Sequence, residues 1–388
     1  MNFSNEKDIL DELLSFSVPI IPDSTRFWMV RTQKGYFYTE FISKKFVAIA
    51  WNIIDSKSDF SDSSKESLQD LITMEYSDIH RPSTVINKCH NFIHEINPGD
   101  ILIIPSKGSK YVTFAKAGCY YEENSKTVEL EHTVIDRIQN KEIAINEVSC
   151  PYKKRRKIEL LRTIKGEDLN YALYRAISNY HGLSNLDSYS RQILNTLYNC
   201  YSFQGSAAIV YNVRKTTPIK PSELSGLLYS NTTCLSKIIS EDHISTQISL
   251  NSPGDFVFII ENIWEFAKEN WIYIFGLLVF IGGGKAFSFQ IDGIIDIVKK
   301  ILSAPSDVKL KQYEVASKEM ELIEKRLEIY EKIKAAGVNP SDLEEPLNVL
   351  FEKASSLKTE PIVLSTDSSI PKQDLEELQI VDLDDDQE

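Results

Sequence analysis

The sequence lacks the short motifs by which many enzyme families are recognised. It contains no G-x-G-x-x-G, no Walker A motif and no G-x-S-x-G, so Rossmann cofactors, NTP hydrolysis and acyl transfer have no support. His90 and His94 have the i, i+4 spacing of a metal pair, but no Glu follows His90, and a packed helix is favoured over a zinc site. We therefore expect no catalytic residues, no metal and no cofactor.

Cysteine is scarce, and no pair has C-x-x-C spacing. This pattern favours reduced thiols in a reducing compartment. The start of the chain, MNFSNEKDILDELL, contains no sustained apolar segment, so we expect no secretion signal and cytoplasmic N-terminal domains. The five cysteines are Cys89, Cys119, Cys150, Cys200 and Cys234.

The overall composition is that of a folded protein with an uneven charge distribution. With 388 residues, 42% hydrophobic and 26% charged, the chain is long enough for two or three domains, and a wholly disordered chain is excluded. Its net charge is −13, but residues 360–388 contain ten acidic residues against Lys372 alone. Global acidity therefore does not exclude nucleic-acid binding, because the local field decides it.

One dense basic run, KKRRK, is a candidate contact for nucleic acid or phosphate. The alternative is a solvated surface or a membrane-surface contact. We also expect that the acidic tail could neutralise this run, as an autoinhibitory hypothesis. The run consists of Lys153, Lys154, Arg155, Arg156 and Lys157.

The order of apolar and turn-forming stretches predicts an α+β fold in several parts. Runs such as FWMVRT, FVAIAW, DILIIPS and TVELEHTVIDRI, separated by turn signals, predict the strands of a small mixed β-barrel with helical insertions. The predicted parts are a leading helix (1–25), the barrel domain (26–165), an α+β module (166–250), a membrane segment (256–304), a coiled-coil helix (306–336) and an acidic disordered tail (359–388).

The stretch WIYIFGLLVFIGGGKAFSF, residues 271–289, is the most apolar part of the chain. Its length predicts one transmembrane helix or a membrane hairpin turning at the glycines, with the topology left open. A lysine at membrane depth is tolerated best where it faces a hydrated lumen shared by several subunits. The predicted pore-lining residues are Gly282, Gly283, Gly284 and Lys285; the alternative is that residues 271–281 form the central helix of a soluble domain.

A short coiled-coil seam follows the apolar region. Apolar residues recur at spacings of three and four within a charged helix, the pattern by which helices pair. The seam predicts a homo-oligomer, with a tetramer as our expectation. The residues expected to carry oligomerisation are Tyr313, Met320, Ile323 and Leu327.

The first domain contains FWMVRTQKGYFYTEFISKKFVAIAW, followed by FIHEINPGDILIIPS. Over residues 26–162 it resembles the PUA-like module found at the N-terminus of Mrr-type restriction and related prokaryotic defence proteins, although Ala50 stands where such modules usually have Gly before Trp. The resemblance implies a nucleotide or nucleic-acid ligand held by Arg31, Tyr36, Trp51 and Asn52. A core role for Trp28 and Trp51 is the alternative.

Beyond residue 165 the sequence departs from restriction proteins, because no metal-binding nuclease pair lies on credible strands. A binding module joined to an apolar segment and a coiled coil resembles the membrane effectors of anti-phage systems, such as those of the two-component Hailong system. This implies an inner-membrane protein that binds a nucleotide or DNA oligomer made by a neighbouring nucleotidyltransferase, contacts the lipid bilayer and conducts ions. The alternatives are a soluble reader of modified nucleic acid that serves a restriction system as an adaptor, and a nuclease with unrecognised residues.

Overall fold

The computed structural model describes residues 3–140, 149–179, 182–249, 254–283, 294–305 and 317–365. The helices in these ranges are α1 (Phe3–Leu14), α2 (Tyr38–Lys44), α3 (Lys65–Glu75), α4 (Pro82–His90), α5 (Val128–Gln139), α6 (Tyr171–Asn179), α7 (Ser190–Leu197), α8 (Pro221–Leu235), α9 (Ile263–Phe266), α10 (Trp271–Gly282), α11 (Ile294–Leu302), α12 (Ser317–Ala335) and α13 (Glu344–Leu357). The strands are β1 (Phe27–Arg31), β2 (Phe46–Ile49), β3 (Ile101–Pro105), β4 (Tyr111–Glu122), β5 (Lys154–Lys165), β6 (Gly182–Asn185), β7 (Cys200–Phe203), β8 (Ser206–Val213), β9 (Ile244–Ser249), β10 (Gly254–Ile260) and β11 (Thr359–Glu360).

The chain forms two compact units, and one interrupts the other in sequence. The described residues of 24–193, with residues 363–365, form the inserted unit. Residues 1–23 and 194–362 form the split unit. The predicted break at residue 165 therefore does not coincide with a unit boundary, because α6 and β6 belong to the inserted unit.

The inserted unit is built on a six-stranded half-barrel sheet with the order β2-β5-β4-β3-β1-β6. β1 and β3 are parallel, and the other neighbours are antiparallel. β4 and β5 are both long strands, and their register shifts twice, between Phe114 and Ala115 and between Ala117 and Tyr120. Such bulges bend a sheet, so the strands curve around a core that includes Trp28, Phe92 and Tyr152.

One predicted strand of this unit is a helix. The stretch TVELEHTVIDRI forms α5, and the Thr127 side chain caps it by accepting a hydrogen bond from the Leu130 backbone N–H. Val134 is buried, and Ile135 and Ile138 pack against the same core. Their spacing of three and four residues is the helical period, which the β-branched composition obscured.

The split unit contains a second sheet, with the order β11-β8-β10-β9 and with β7 also pairing with β8. β8 and β10 read as near-continuous apolar runs and are almost fully buried. α10 packs against β8 and against α1, α8, α12 and α13. The apolar core of this unit therefore surrounds α10.

The prediction of a transmembrane helix or membrane hairpin was wrong. Within the residues that the structure describes, no helix combines the length and the apolarity needed to cross a bilayer. α10 has 12 residues, which at about 1.5 Å per residue span far less than the roughly 30 Å of a hydrocarbon core. Its apolarity has another cause: a helix buried on all sides is hydrophobic all round, and Ile274, Phe275 and Leu278 are fully buried.

The glycines predicted to line a pore instead permit close packing where they are described. A Cβ at Gly282 would lie 2.5 Å from the Tyr211 ring. Gly276 of the same helix, which was not among the predicted residues, has a similar role, since a Cβ there would lie 3.0 Å from the Phe16 ring. Gly283 ends the helix, donating its N–H to the Val279 carbonyl at 2.9 Å. Gly284 and Lys285 lie outside the described residues.

The helix predicted as a coiled coil is present as α12, but the face that it buries differs from the predicted seam. Ile323 of the predicted seam is buried, but the other buried residues of the helix are Leu322, Arg326, Ile329 and Ile333. In contrast, Met320 is 52% exposed and Leu327 is half-buried, while Tyr313 lies outside the described residues. Ion pairs from the Lys7, Glu6 and Asp11 side chains of α1 to those of α12 fasten the two helices together within the chain. Oligomerisation through this helix stays a prediction.

Candidate functional site

The inserted unit contains a pocket of about 780 Å³ at the ends of β1, β2 and β6. This volume lies within the range of small-molecule sites. Four basic side chains line it, and its described lining includes no Asp or Glu. The basic residues are Arg31, Lys34, Lys88 and Lys107, and the aromatic ones are Trp51 and Tyr152.

The backbone around this pocket adopts unusual conformations. Gln33, Lys34 and Trp51 line the pocket and have positive φ angles of 47°, 53° and 68°, a region that non-glycine residues rarely occupy. The turn at Gly35 also packs directly on the turn that contains Lys107, because a Cβ at Gly35 would lie 2.6 Å from the Lys107 backbone nitrogen. Strained backbone of this kind concentrates at ligand sites.

Arg31, at the end of β1, is the most informative side chain of the pocket. Its Nη2 donates to the Ser109 Oγ at 2.5 Å, whereas its Nε is buried and has no hydrogen-bond partner among the described residues. Burial lowers the pKa of the guanidinium, an effect that the nearby Tyr174 hydroxyl partly offsets. A buried, charged donor without a partner costs free energy, so an anionic acceptor would be bound favourably here.

Trp51 is held in place through its backbone. The Glu131 carboxylate accepts the N–H of Trp51 and that of Asn52, each at 2.7 Å, and the Lys154 ammonium donates to the Trp51 carbonyl at 2.6 Å. Glu131 also accepts the Tyr76 hydroxyl at 2.9 Å. These buried groups fix the left-handed conformation of Trp51 and leave its side chain half-buried in the pocket wall.

Asn52 and Tyr36 are not part of the pocket lining. The Asn52 amide nitrogen donates to the Pro151 and Thr127 carbonyls, and its amide oxygen accepts the Lys153 N–H. The Asn52 side chain is therefore hydrogen-bonded to neighbouring backbone groups of the fold. The Tyr36 ring packs edge-on against Phe37 at 5.4 Å between centroids, and its burial raises the pKa of its hydroxyl.

The basic run does not form the predicted phosphate-binding surface. Lys154, Arg155 and Arg156 lie on β5 and are 0%, 8% and 2% exposed. The alternative prediction, a solvated surface, was also wrong for these three residues, because they are buried. Only Lys157 is exposed, while Lys153 is half-buried and pairs with Asp55 and Glu122.

Backbone carbonyls and aromatic rings contact these buried cations. Besides the Trp51 carbonyl, Lys154 donates to that of Ile54 at 2.7 Å. Arg155 donates to the Tyr152 and Cys150 carbonyls and lies over the Phe46 ring. Arg156 donates to carbonyls of the segment that follows α4 and lies over two aromatic rings.

Sequence reasoning missed several pocket residues, among them Tyr152 and Lys88. Tyr152 immediately precedes the basic run, and its buried hydroxyl makes no hydrogen bond of normal geometry within the described residues, although Gln33 is close enough to influence its pKa. Burial raises that pKa well above its usual value. Lys88, on α4, lies beside Gly182, and burial lowers the pKa of its ammonium. Only the tertiary fold brings these residues to Arg31.

The remaining sequence candidates are accounted for by packing. The His90 and His94 rings are 5.2 Å apart and pack against Phe60. No group of three potential metal ligands is found among the residues described. Trp28 is 2% exposed and donates its indole N–H to Asp100 at 3.3 Å, so it is a core residue.

Comparisons with known proteins give one matching family model, which carries no function. The model of a domain of unknown function, DUF8426, matches residues 28–172. This match begins in β1, ends at the start of α6 and includes most of the residues that line the pocket. Neither the curated proteins nor the solved structures gave a significant match.

Proposed function

We propose that the inserted unit is a binding module for a nucleotide-like ligand, meaning an aromatic base that carries at least one phosphate. The observation that carries this proposal is the unpartnered, buried Nε of Arg31 in a pocket whose described charged lining is entirely basic. Of the four ligand-binding residues that the resemblance implied, Arg31 and Trp51 line this pocket. Tyr152, Lys88, Lys34 and Lys107 join them.

Each part of such a ligand has a matching part of the pocket. A base can stack on the Trp51 or Tyr152 ring, since aromatic side chains bind bases with about 1–3 kcal/mol each. A phosphate can accept from Arg31, which also offers a planar, charge-assisted geometry. The four basic side chains supply the countercharge.

Binding is the role proposed for this pocket because its lining combines basic side chains with aromatic rings, the groups that bind phosphates and bases. A role in anti-phage defence, a homo-oligomer and a neighbouring nucleotidyltransferase remain part of the proposal on the strength of the resemblance. The proposal does not include an ion-conducting pore, because such a pore required a transmembrane helix and the prediction of that helix was wrong.

Isothermal titration of the full-length protein with ribo- and deoxyribonucleoside monophosphates tests the proposal. We expect at least one to bind, and the corresponding nucleoside and inorganic phosphate to bind more weakly. Trp51→Ala should lower that affinity about fivefold to a hundredfold, the range that corresponds to one stacked base. The matched control is Trp264→Ala, which removes a 52%-exposed indole of the split unit and should leave affinity unchanged.

Thermal unfolding of both variants separates binding from folding. If none of the nucleotides binds, or if Trp51→Ala binds them as tightly as the unaltered protein does, the nucleotide proposal is wrong. If affinity falls only in proportion to a loss of folded protein, Trp51 is a core residue and the pocket is not its function.

A further inference from the structure

α6 presents an exposed aromatic face next to the pocket. Tyr171 and Tyr174 are 57% and 36% exposed, and they are the exposed aromatic side chains of the inserted unit's described residues. Residues at i, i+3 and i+4 share one helix face, so Arg175 joins them, with its guanidinium 5.8 Å from the Tyr171 ring centroid. Apolar rings in water beside a cation form a surface on which bases can stack.

A short, continuous path of contacts joins this face to Arg31. Arg31 donates to the Ser109 side chain, and Gly166 packs on the backbone of the same residue, since a Cβ at Gly166 would lie 2.1 Å from the Ser109 carbonyl oxygen. That Cβ would also lie 3.4 Å from the Tyr174 ring. The Gly166 N–H donates to the Lys110 carbonyl at 2.8 Å, and this bond holds Gly166 close to Ser109. Tyr174 therefore lies close to Ser109, and its hydroxyl is near enough to Arg31 to influence the pKa of that guanidinium.

The charge of the surroundings suits a phosphodiester chain. Lys107 is an exposed residue of the same turn as Ser109, and Arg175 belongs to the aromatic face. The nearest exposed acidic side chain along the sequence, Glu167, lies 3.9 Å from the Lys165 ammonium, so that pair contributes little net charge.

We propose that the ligand of the inserted unit is a single-stranded oligonucleotide, with one base in the pocket and the next bases stacked on Tyr174 and Tyr171. This inference rests on the nucleotide-binding function proposed above and names the substrate class of that site. Arg31 and Lys107 lie between the two base positions and bind the connecting phosphates. Stacking reads no particular sequence, so the α6 face adds affinity and strand preference while the pocket supplies base selectivity.

Fluorescence anisotropy and titration with the full-length protein test this inference. The probes are single-stranded hexanucleotides of mixed sequence, as DNA and as RNA, together with the same hexamers in duplex form and the mononucleotides. We expect a hexamer to bind at least tenfold more tightly than the best mononucleotide, and single strands to bind more tightly than duplexes. The DNA and RNA arms identify which strand is preferred.

The variant Tyr171→Ala/Tyr174→Ala should remove most of the hexamer's advantage and leave mononucleotide affinity within about twofold. Tyr171→Phe/Tyr174→Phe, which keeps both rings, should retain the advantage. The matched control is Tyr229→Ala, an exposed helical tyrosine of the split unit that donates to Glu345.

Failure of this inference differs from failure of the proposed function. If mononucleotides bind but hexamers bind no more tightly, or if the alanine pair leaves the advantage intact, the α6 inference is overturned and the pocket remains a nucleotide site. If neither mononucleotides nor hexamers bind, both are overturned. If hexamers bind with an affinity that Trp51→Ala does not change, the pocket is not the base site and the inference falls with it.

Discussion

The cations of β5 and those of the pocket belong to the same unit, yet their surroundings differ. Lys154 is fully buried, and its ammonium donates to two backbone carbonyls. Arg31 is only partly buried, and its Nε has no partner among the described residues. The first arrangement completes the hydrogen bonding of the fold, whereas the second leaves a donor for something else.

The difference teaches that the density of basic residues in sequence is a poor guide to ligand binding. Buried polar groups are almost always hydrogen-bonded, so the informative cation is the one that the fold leaves incompletely paired. A direct contact also links the β5 cations to the pocket, because the Lys154 ammonium donates to the carbonyl of the pocket residue Trp51. The structural cation therefore positions a wall of the binding pocket.

The largest effect should come from removing a cation of the structural group. Lys154→Met keeps the length of the side chain but leaves the Trp51 and Ile54 carbonyls buried without their donor. Since each unsatisfied buried group costs about 1–3 kcal/mol, we expect the free energy of unfolding to fall by about 3–5 kcal/mol in urea denaturation.

The control for Lys154→Met is Lys157→Met on the same strand, where the side chain is exposed and a change within about 0.5 kcal/mol is expected. A loss below about 1 kcal/mol for Lys154→Met would contradict the structural role of this cation.

Removing a cation of the pocket should have the opposite pattern. Arg31→Gln removes a charged donor, and hydrogen bonds to charged groups contribute about 1.5–3 kcal/mol. Nucleotide affinity in titration should therefore fall about tenfold to a hundredfold, while the free energy of unfolding changes by less than about 1 kcal/mol because a costly buried charge is also removed.

Arg137→Gln, at the exposed end of α5, is the control for Arg31→Gln and should change neither quantity. Arg31 would belong with the structural cations if its replacement lowered stability without weakening binding.

The smallest effect should be a change in pH dependence at Lys153, which is intermediate between the two groups. Burial alone would raise the pKa of its partner Glu122, but hydrogen bonds from Ser56 and the Tyr120 hydroxyl and the charge of Lys153 lower it to about 2. A folded-state pKa below the unfolded one adds stability above the unfolded pKa of about 4.5, and this stability is lost as pH falls towards 2.

Glu122→Gln should remove that dependence and lower the free energy of unfolding at pH 7 by about 1–2 kcal/mol, less than the full shift would give, because solvent screens part of the interaction. Unfolding measured between pH 2.5 and 7 checks this, with exposed Glu66→Gln on α3 as the control. An unchanged slope in the variant would show that the Lys153 cluster does not hold this carboxylate.

The sequence was sufficient to locate the strands around the pocket and two of its residues. The apolar runs at β1, β2 and β3 predicted strands, and the resemblance led to Arg31 and Trp51. Lys88 and Tyr152 could not be predicted, because they reach the pocket only when α4 and the start of β5 pack against β1. Long-range placement of this kind leaves no trace in local spacing.

Two other features misled because the same local pattern fits two environments. An apolar run as short as α10 suits a buried helix as well as a membrane segment, and only its packing against β8 and the surrounding helices decides between them. The basic run was expected at a surface because charged side chains are mostly solvated, and its place on a strand, where successive residues point to opposite faces, was not predicted. Here carbonyls and aromatic rings cover both faces of β5 at Lys154, Arg155 and Arg156.

Because residues 24–193 interrupt the split unit in sequence, the two parts of that unit are synthesised at different times. α1 is translated before residues 24–193, whereas α10, α12 and β8, which complete its unit, are translated after them. Domains generally fold as units while the chain is made, so the pocket can form while the apolar side of α1, with Ile9, Leu10 and Leu13, still waits for its partners. A nascent chain that stalls after residue 193 would contain a folded binding module together with an α1 helix whose apolar side is exposed. Exposed apolar surface of this kind is what chaperones recognise.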